Sequence, residues 1–444
     1  MQGCDMPVAR IESLDHEGRG ITHVEGKVVF VDGALPGEIV EFSPYRTKAS
    51  YELAQITRIV RASSQRVTPR CRYFGECGGC SMQHLDVVAQ ASVKQRVLEN
   101  ALWHVGRVKP ETVFAPLIGP GWGYRYRARL SVRDEPGKGG VRVGFRERRT
   151  SHVTDMASCE VLPPHVSALL RPLCDLIEGF SVRDRVPQIE VAVSGEREEQ
   201  MTVLVFRVLE ALGAEDENRM RSFAQAHRLH VYVQPGGLDT VTPLWPLPMP
   251  ELAYSLPDFG LKLDFAPTEF TQVNHAMNRV LLRRAMAMLM PKPGERVADM
   301  FCGLGNFSLP IAALGADVVG IEGLDALVKR AARNAEANGL QARATFQVAN
   351  LFKIKPDTLA ALGRFDKMVI DPPRDGAAAL VKALAHATDD AAPSRIVYVS
   401  CNPATLARDL AVLVHDKGYR VRGAGIANMF PQTSHVESVA LIER

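Results

Sequence analysis

At 444 residues and 46% hydrophobic composition, the chain exceeds one ordinary domain and carries enough apolar side chains for two or three cores. Its formal charge of +3 is small, and no stretch approaches the length of a membrane span, which excludes a membrane-helix protein. Met1 to Arg10 holds Asp5 and Pro7 and no apolar run, so a secretory leader is not expected. A cytoplasmic chain is, and there eight cysteines stay reduced and serve metal binding or chemistry more than disulfides.

Residues 8–12, 26–31, 37–42 and 53–60 alternate apolar and polar positions between glycine turns, a pattern that predicts a small OB-like β-barrel, a fold often used on nucleic acid. Arg58, Arg61, Arg66, Arg70 and Arg72 follow with no acid among residues 58–72, and residues 125–149 are again rich in arginine. Two such clusters in a nearly neutral chain read as a polyanion-binding surface.

Cys71, Cys77 and Cys80 fall within ten residues, with Gly78 and Gly79 between the last two so that the backbone can fold tightly and the sulfurs converge. That is the demand of a zinc site or an iron–sulfur cluster, and the spacing does not choose between them. Cys159 is the candidate for a fourth ligand, whereas Cys174 sits in a helix-like apolar pattern that predicts a core position. A helix is expected over 86–105. If 124–133 is a strand, Tyr124, Tyr126, Ala128, Leu130 and Val132 share one face, and Arg125, Arg127, Arg129 and Arg133 offer guanidinium groups on the other. Mixed strands and helices fill 160–260, and five prolines between 243 and 257 suggest a boundary region.

From Phe265 the pattern becomes strand, turn, helix, repeated. Residues 297–301 run into the glycine turn Cys302-Gly-Leu-Gly-Asn306, and the next strand ends at Glu322, about twenty residues on, where a carboxylate meets ribose hydroxyls. The turn lacks the dinucleotide order of glycines, so adenosine without a diphosphate, S-adenosylmethionine, is the ligand this suggests. A third strand ends in Asp371-Pro-Pro-Arg374. A fourth, 395–399, leads through Ser400-Cys-Asn-Pro403 into a helix at 403–413, so Cys401 lies at a helix N-terminus, where the dipole favours a thiolate and a soft nucleophile. In an open α/β sheet Asp299, Glu322, Asp371 and Cys401 gather at one edge.

Phe270-Thr-Gln272-Val-Asn274, Asp299-Met-Phe-Cys-Gly-Leu-Gly-Asn306, Asp371-Pro-Pro-Arg374, Ser400-Cys-Asn-Pro403 and His435-Val-Glu437 together resemble the RNA uracil-5-methyltransferases. The resemblance implies a Rossmann-like class I methyltransferase domain at 266–444, a TRAM-like barrel at 1–62 and a central α+β iron–sulfur domain at 63–265, with 86–124 packed on the catalytic domain. It implies a [4Fe-4S] cluster on Cys71, Cys77, Cys80 and Cys159. It also implies cofactor contacts from Gln272, Phe301, Asn306, Glu322, Asn350 and Asp371, with Cys401 as nucleophile and Glu437 as base. A barrel together with the cysteines is similar to the 23S ribosomal RNA branch of the family; the tRNA branch has neither. The cytosine-5 chemistry uses the same thiolate addition but shows a Pro-Cys pair where this chain has Asp371-Pro-Pro. The expected partner is a flipped uridine of 23S ribosomal RNA, the expected state a monomer.

Overall fold

The computed structural model describes residues 6–195, 200–388 and 391–444; the first five residues of the segment read for a leader lie outside these. Six short strands come first: β1 (Val8–Arg10), β2 (Ser13–Leu14), β3 (Gly20–Val24), β4 (Lys27–Asp32), β5 (Ile39–Thr47) and β6 (Tyr51–Arg61). They pair in the order β1-β5-β6-β4-β3-β2. The two ends of that order, β1 and β2, are separated in the chain only by Ile11 and Glu12, so the sheet curls back on itself around buried Ile11, Val29, Val31, Val40 and Phe42.

Helix α1 (Val87–Ala101) is capped by Asp86, whose Oδ1 accepts from the N–H groups of Val88 and Ala89. One π-helical turn (Leu102–Gly106) and β7 (Thr112–Val113) follow. The central sheet is built from β8 (Arg127–Glu135), β9 (Gly140–Gly144), β10 (Gln188–Ser194), β11 (Met201–Arg207), β12 (Leu229–Gln234) and β13 (Thr242–Trp245), in the order β13-β12-β11-β10-β8-β9. Its helices are α2 (Pro164–Ser167), α3 (Leu170–Glu178) and α4 (Ala214–His227). Cys174 is buried in α3 as a core residue. The proline-rich stretch contributes β13 after all: Pro243 is tolerated there because β13 is an edge strand.

A hairpin of β14 (Leu252–Leu256) and β15 (Leu261–Phe265) leads to α5 (His275–Leu289). The remaining strands are β16 (Arg296–Met300), β17 (Asp317–Glu322), β18 (Ala344–Val348), β19 (Lys367–Ile370), β20 (Arg395–Ser400), β21 (Arg420–Ala427) and β22 (Glu437–Glu443). They form one sheet with β7, ordered β18-β17-β16-β19-β20-β22-β21-β7. The strands from β18 to β20 are parallel, while β22 inserts antiparallel between β20 and β21. Helices α6 (Ser308–Ala313), α7 (Asp325–Ala337), α8 (Pro356–Ala361), α9 (Ala378–His386) and α10 (Pro403–His415) link the strands. The chain order reverses between β16 and β19, which opens a crevice at the carboxyl ends of both. The strand interiors are β-branched and aliphatic runs, the signature of a sheet buried on both faces: Val297, Ile321, Met368, Val397 and Tyr398 are fully enclosed.

The segment after the cysteines is fastened to this sheet. Lys94 is 1% exposed and donates to Asn428 Oδ1 at 2.7 Å and to the Phe430 carbonyl at 2.8 Å; burial brings its ammonium down to about 7. Gln90 exchanges hydrogen bonds with Gln432, and β7 extends the sheet along β21. Among the described residues no helix is long and apolar enough to cross a membrane.

Candidate active site

The carboxyl ends of the central strands deliver their side chains to a single cavity of about 760 Å³, a volume suited to a small-molecule ligand. Gln272, Phe301, Asn306, Glu322, Asn350, Asp371, Cys401 and Glu437, the eight catalytic and cofactor positions read from the sequence, all line it.

The turn after β16 is made by backbone that few residues adopt. Phe301 has φ of 67°, and Gly303 and Gly305 follow at 55° and 99°; a side chain in that region costs of order 1–3 kcal/mol. Glu322 at the end of β17 holds the turn in place. Its Oε2 accepts from the Gly303 N–H at 3.2 Å, and its Oε1 accepts from Gly323 at 2.6 Å and Leu324 at 3.1 Å. The Phe301 ring lies 5.5 Å from that of Phe352, and Leu324, Leu351 and Phe352 continue an apolar slot beside the carboxylate. Phe352 was not marked by the sequence, because nothing local distinguishes it from an ordinary surface aromatic.

Asn306 lines the cavity, but its amide is already engaged. Its Oδ1 accepts from Tyr254 Oη and Asn278 Nδ2, both at 2.9 Å, and its Nδ2 donates to Asn278 Oδ1 at 3.0 Å. Tyr254 and Asn278 are therefore parts of the site that the sequence did not disclose; they arrive from β14 and α5, more than 25 residues away.

Three buried acids at or beside the pocket have their carboxyls raised above the usual carboxylate range. Burial lifts the Asp299 carboxyl to about 7 although Ser308 Oγ donates to it at 2.5 Å. Burial, and then Asp299, lifts Asp371 to about 7. Glu437 is 3% exposed, and burial followed by Asp371 holds its carboxyl well above the usual carboxylate range.

Register makes Cys401 and Glu437 neighbours. In the antiparallel pairing of β20 and β22 Ser400 faces Ser438, so one step further along each strand Cys401 stands opposite Glu437. Cys401 follows β20 directly, and Asn402 caps α10 by accepting from the Ala404 N–H at 3.1 Å. The helix dipole that favours a Cys401 thiolate is opposed in the pocket. Burial, Glu437 and Asp371 push its thiol up to about 11, and only Arg374 and a backbone hydrogen bond act the other way. A dipole worth 0.3–1 kcal/mol at an exposed helix end cannot outweigh two acids and desolvation.

Residues 123–444 match the tRNA (Uracil-5-)-methyltransferase family, and residues 8–42 match the TRAM domain. The chain belongs to the uracil-5-methyltransferase family. It is 62% identical over 439 residues to the 23S rRNA (uracil(1939)-C(5))-methyltransferase RlmD of Aromatoleum aromaticum, covering 99% of this chain and 100% of that one. The same-named protein of Burkholderia ambifaria is 57% identical, over 99% of this chain and 95% of that one. Among solved structures, the Pyrococcus abyssi tRNA (uracil-54, C5)-methyltransferase in complex with S-adenosyl-L-homocysteine superposes with a TM-score of 0.74, at 24% identity, over 98% of this chain and 100% of that one. That likeness shows the shared fold, and at 98% of this chain it takes in the barrel as well as the α/β sheet. The expectation that a tRNA enzyme of the family lacks the barrel is therefore corrected for this one.

Beside the methyltransferase pocket lies a second cavity of about 220 Å³ with Cys71, Cys77, Cys80 and Cys159 in its lining. Burial raises Cys80 to about 12 and Cys159 to about 11. Among the described residues no three ligating side chains close round a single ion. Gly78 is required by crowding: a Cβ there would stand 3.0 Å from the Arg146 carbonyl. Gly78, Gly79, Arg125 and His435 line both this cavity and the methyltransferase pocket.

A cleft of about 830 Å³ runs from the barrel to the central sheet and meets the same pocket at Gly78, Gly79 and Ser81. Arg19, Arg46, Arg129, Arg146, Arg148 and Arg149 line it. The arginines are less free than the sequence suggests, in the cleft as well, where Arg19 is bound to Asp15 at 2.7 Å and Arg149 meets Asp32 at 3.0 Å. Arg66 is bound to fully buried Glu38, Arg58 pairs with Glu41, Arg70 meets Glu160 at 2.8 Å, and Arg127 donates to the Pro267 carbonyl at 2.8 Å. The strand containing Arg127 begins three residues later than read, and Arg125 precedes it, against the pocket. Arg129 pairs with Glu190 on β10 at 2.9 Å, an exposed contact worth little against a phosphate.

Proposed function

We propose that this uracil-5-methyltransferase methylates C5 of a uridine in 23S ribosomal RNA, using S-adenosylmethionine and giving 5-methyluridine. The observation that carries the reading is the meeting of Cys401, Glu437 and Asp371 in one pocket with the Glu322 and Phe301 slot, in a chain 62% identical to a 23S rRNA enzyme over its length. S-adenosylmethionine supplies an electrophilic methyl and a sulfonium charge that offsets the carboxylates of the site.

Cys401 Sγ, once its thiol proton is lost to solvent, adds to C6 of the uracil ring and turns C5 into an enolate-like carbon. That carbon takes the methyl group as the S–CH3 bond of the donor breaks and leaves a neutral thioether. The C5 proton then passes to Glu437, and the Cys401 sulfur leaves as the ring regains its double bond. Gln272, Phe301, Asn306, Glu322, Asn350 and Asp371 hold the methyl donor in this reading. Glu322 suits ribose hydroxyls, and Phe301 with Phe352 suits the adenine face. A stacked uridine cannot present C6 to a thiol, so the base is flipped into the pocket while the arginine cleft and the TRAM barrel hold the flanking strand.

The four cysteines fit a [4Fe-4S] cluster better than a lone ion. A cavity of about 220 Å³ is several times the roughly 30 Å³ share of one water, and four thiols stand in its lining beside Glu160 and His435. Cys71, Cys77, Cys80 and Cys159 would hold such a cluster, and its place beside Gly78 and Ser81 suits a structural role in the RNA-binding wall; iron and sulfide analysis of protein purified without oxygen tests it. The domain division that goes with this reading is 1–62 TRAM barrel, 63–265 central domain and 266–444 methyltransferase, acting as a monomer in the cytoplasm.

The decisive experiment compares 23S ribosomal RNA with and without this protein by nucleoside mass spectrometry and primer-based mapping. Loss of one 5-methyluridine in the deletion strain, restored in vitro by the purified chain, is the expected result. Methyl groups appearing on cytosine, or on transfer RNA alone, would overturn it.

A further inference from the structure

The mechanism leaves one group of the pocket without a task. His435 precedes the base Glu437 by two residues, and its ring meets the guanidinium of Arg374, with Nη2 and Nδ1 2.9 Å apart. Arginine has no acceptor, so the hydrogen bond fixes the ring: Nδ1 accepts, and the imidazole carries its proton on Nε2.

Arg374 is held from the other side as well. Its carbonyl accepts from Asn402 Nδ2 at 3.1 Å and from Thr405 Oγ1 at 3.2 Å, both on the first turn of α10 beside Cys401. The backbone of Arg374 is thus tied to the helix that presents the sulfur, while its side chain is aimed by His435. The loop that carries His435 is itself anchored, since the Ser434 N–H donates to Ser81 Oγ at 2.9 Å and the Ser81 and Met82 N–H groups donate to the Gln432 carbonyl at 3.0 Å.

We infer that His435 is a positioning residue: by accepting from Arg374 it keeps that guanidinium in the pocket, where it is the cation that favours the Cys401 thiolate against Glu437 and Asp371. The charged groups acting on the sulfur are these three, two acids and one base. Losing the aim of the base leaves both acids unopposed. This inference rests on Cys401 being the nucleophile.

The test follows alkylation of Cys401 by iodoacetamide in the purified full-length protein, between about pH 7 and pH 11, by mass spectrometry of the peptide containing Cys401. His435→Ala is expected to slow alkylation about tenfold at each pH below about 10, the effect of raising the thiol by about one pH unit. His435→Asn, whose Oδ1 can take the place of Nδ1, is expected to restore the wild-type profile. In an Arg374→Ala background the further change His435→Ala should have no effect. An unchanged alkylation rate in His435→Ala, or an equal slowing with and without Arg374, would overturn the role. If His435→Ala fails to fold, the comparison of His435→Asn with His435→Gln, whose acceptor is displaced, decides in the same way. Alkylation reads the acidity of the thiol whether or not it is catalytic, so failure of the nucleophile reading shows separately, as methyl transfer that survives Cys401→Ala.

Discussion

Cys401→Ala is expected to lower methyl transfer by roughly 10⁴-fold or more while leaving RNA binding in place, the scale seen when a covalent nucleophile is removed. C5 of uracil is too poor in electron density to attack a methyl sulfonium unaided, so without addition at C6 the reaction has no accessible first step. No neighbouring thiol can substitute. Cys302 also borders the cavity, but it is 4% exposed and burial holds its thiol well above the ordinary range. Cys401 is only half-buried at an open pocket, so trimming its sulfur should cost the fold little. A single-turnover assay with a radiolabelled methyl donor and an RNA transcript measures the loss, and a filter-binding assay measures retained affinity. A variant within tenfold of wild type would remove Cys401 from the reaction; loss of binding and transfer together would mean that the substitution had damaged the fold instead.

What the sequence disclosed and what it hid divide along physical lines. The strand over 395–399 and the helix over 403–413 are found as Arg395–Ser400 and Pro403–His415, because β-branched residues, a proline at the first helical position and an Asn cap are all local signals. The six short strands of the curled N-terminal sheet were legible from alternation and glycine turns. The charge state of Cys401 was not, because it depends on Glu437 and Asp371, which reach the sulfur only when β22 and β19 flank β20. For the same reason the engagement of Asn306 by Tyr254 and Asn278, and of Arg66 by Glu38, left no trace in local pattern. The arginine alternation read over 124–133 divides into two faces only from Arg127 on, where the strand begins. Even there an alternating pattern says which side a residue takes and nothing of whether an acid on the adjoining strand is waiting for it.

Glu437→Gln is expected to trap the enzyme on its RNA. Once C5 has accepted the methyl group it still carries its proton, and the ring cannot expel the Cys401 sulfur until that proton is taken. The register of β20 and β22 puts the carboxyl of Glu437 at the position opposite the sulfur, and the two side chains share the pocket wall. A glutamine of nearly the same shape fills that place but cannot accept a proton, so addition and methylation proceed while elimination stalls. Turnover should fall by about 10²–10⁴-fold, the usual worth of a general base. A protein–RNA species stable to denaturing electrophoresis should accumulate, and it should contain the donor's labelled methyl group. The wild-type enzyme should show the same species in a pH-dependent way. Burial and Asp371 raise the Glu437 carboxyl above its ordinary range, so the group is protonated on the acid side of that raised value and ionised above it. Elimination needs the ionised form, so an adduct already formed should break down more slowly as pH falls and faster as pH rises, while in Glu437→Gln its breakdown should not respond to pH. A variant that turns over at the wild-type rate without the labelled adduct would assign the proton to another acceptor, and Asp371, the remaining acid that bears on the Cys401 thiol, would be the first to examine.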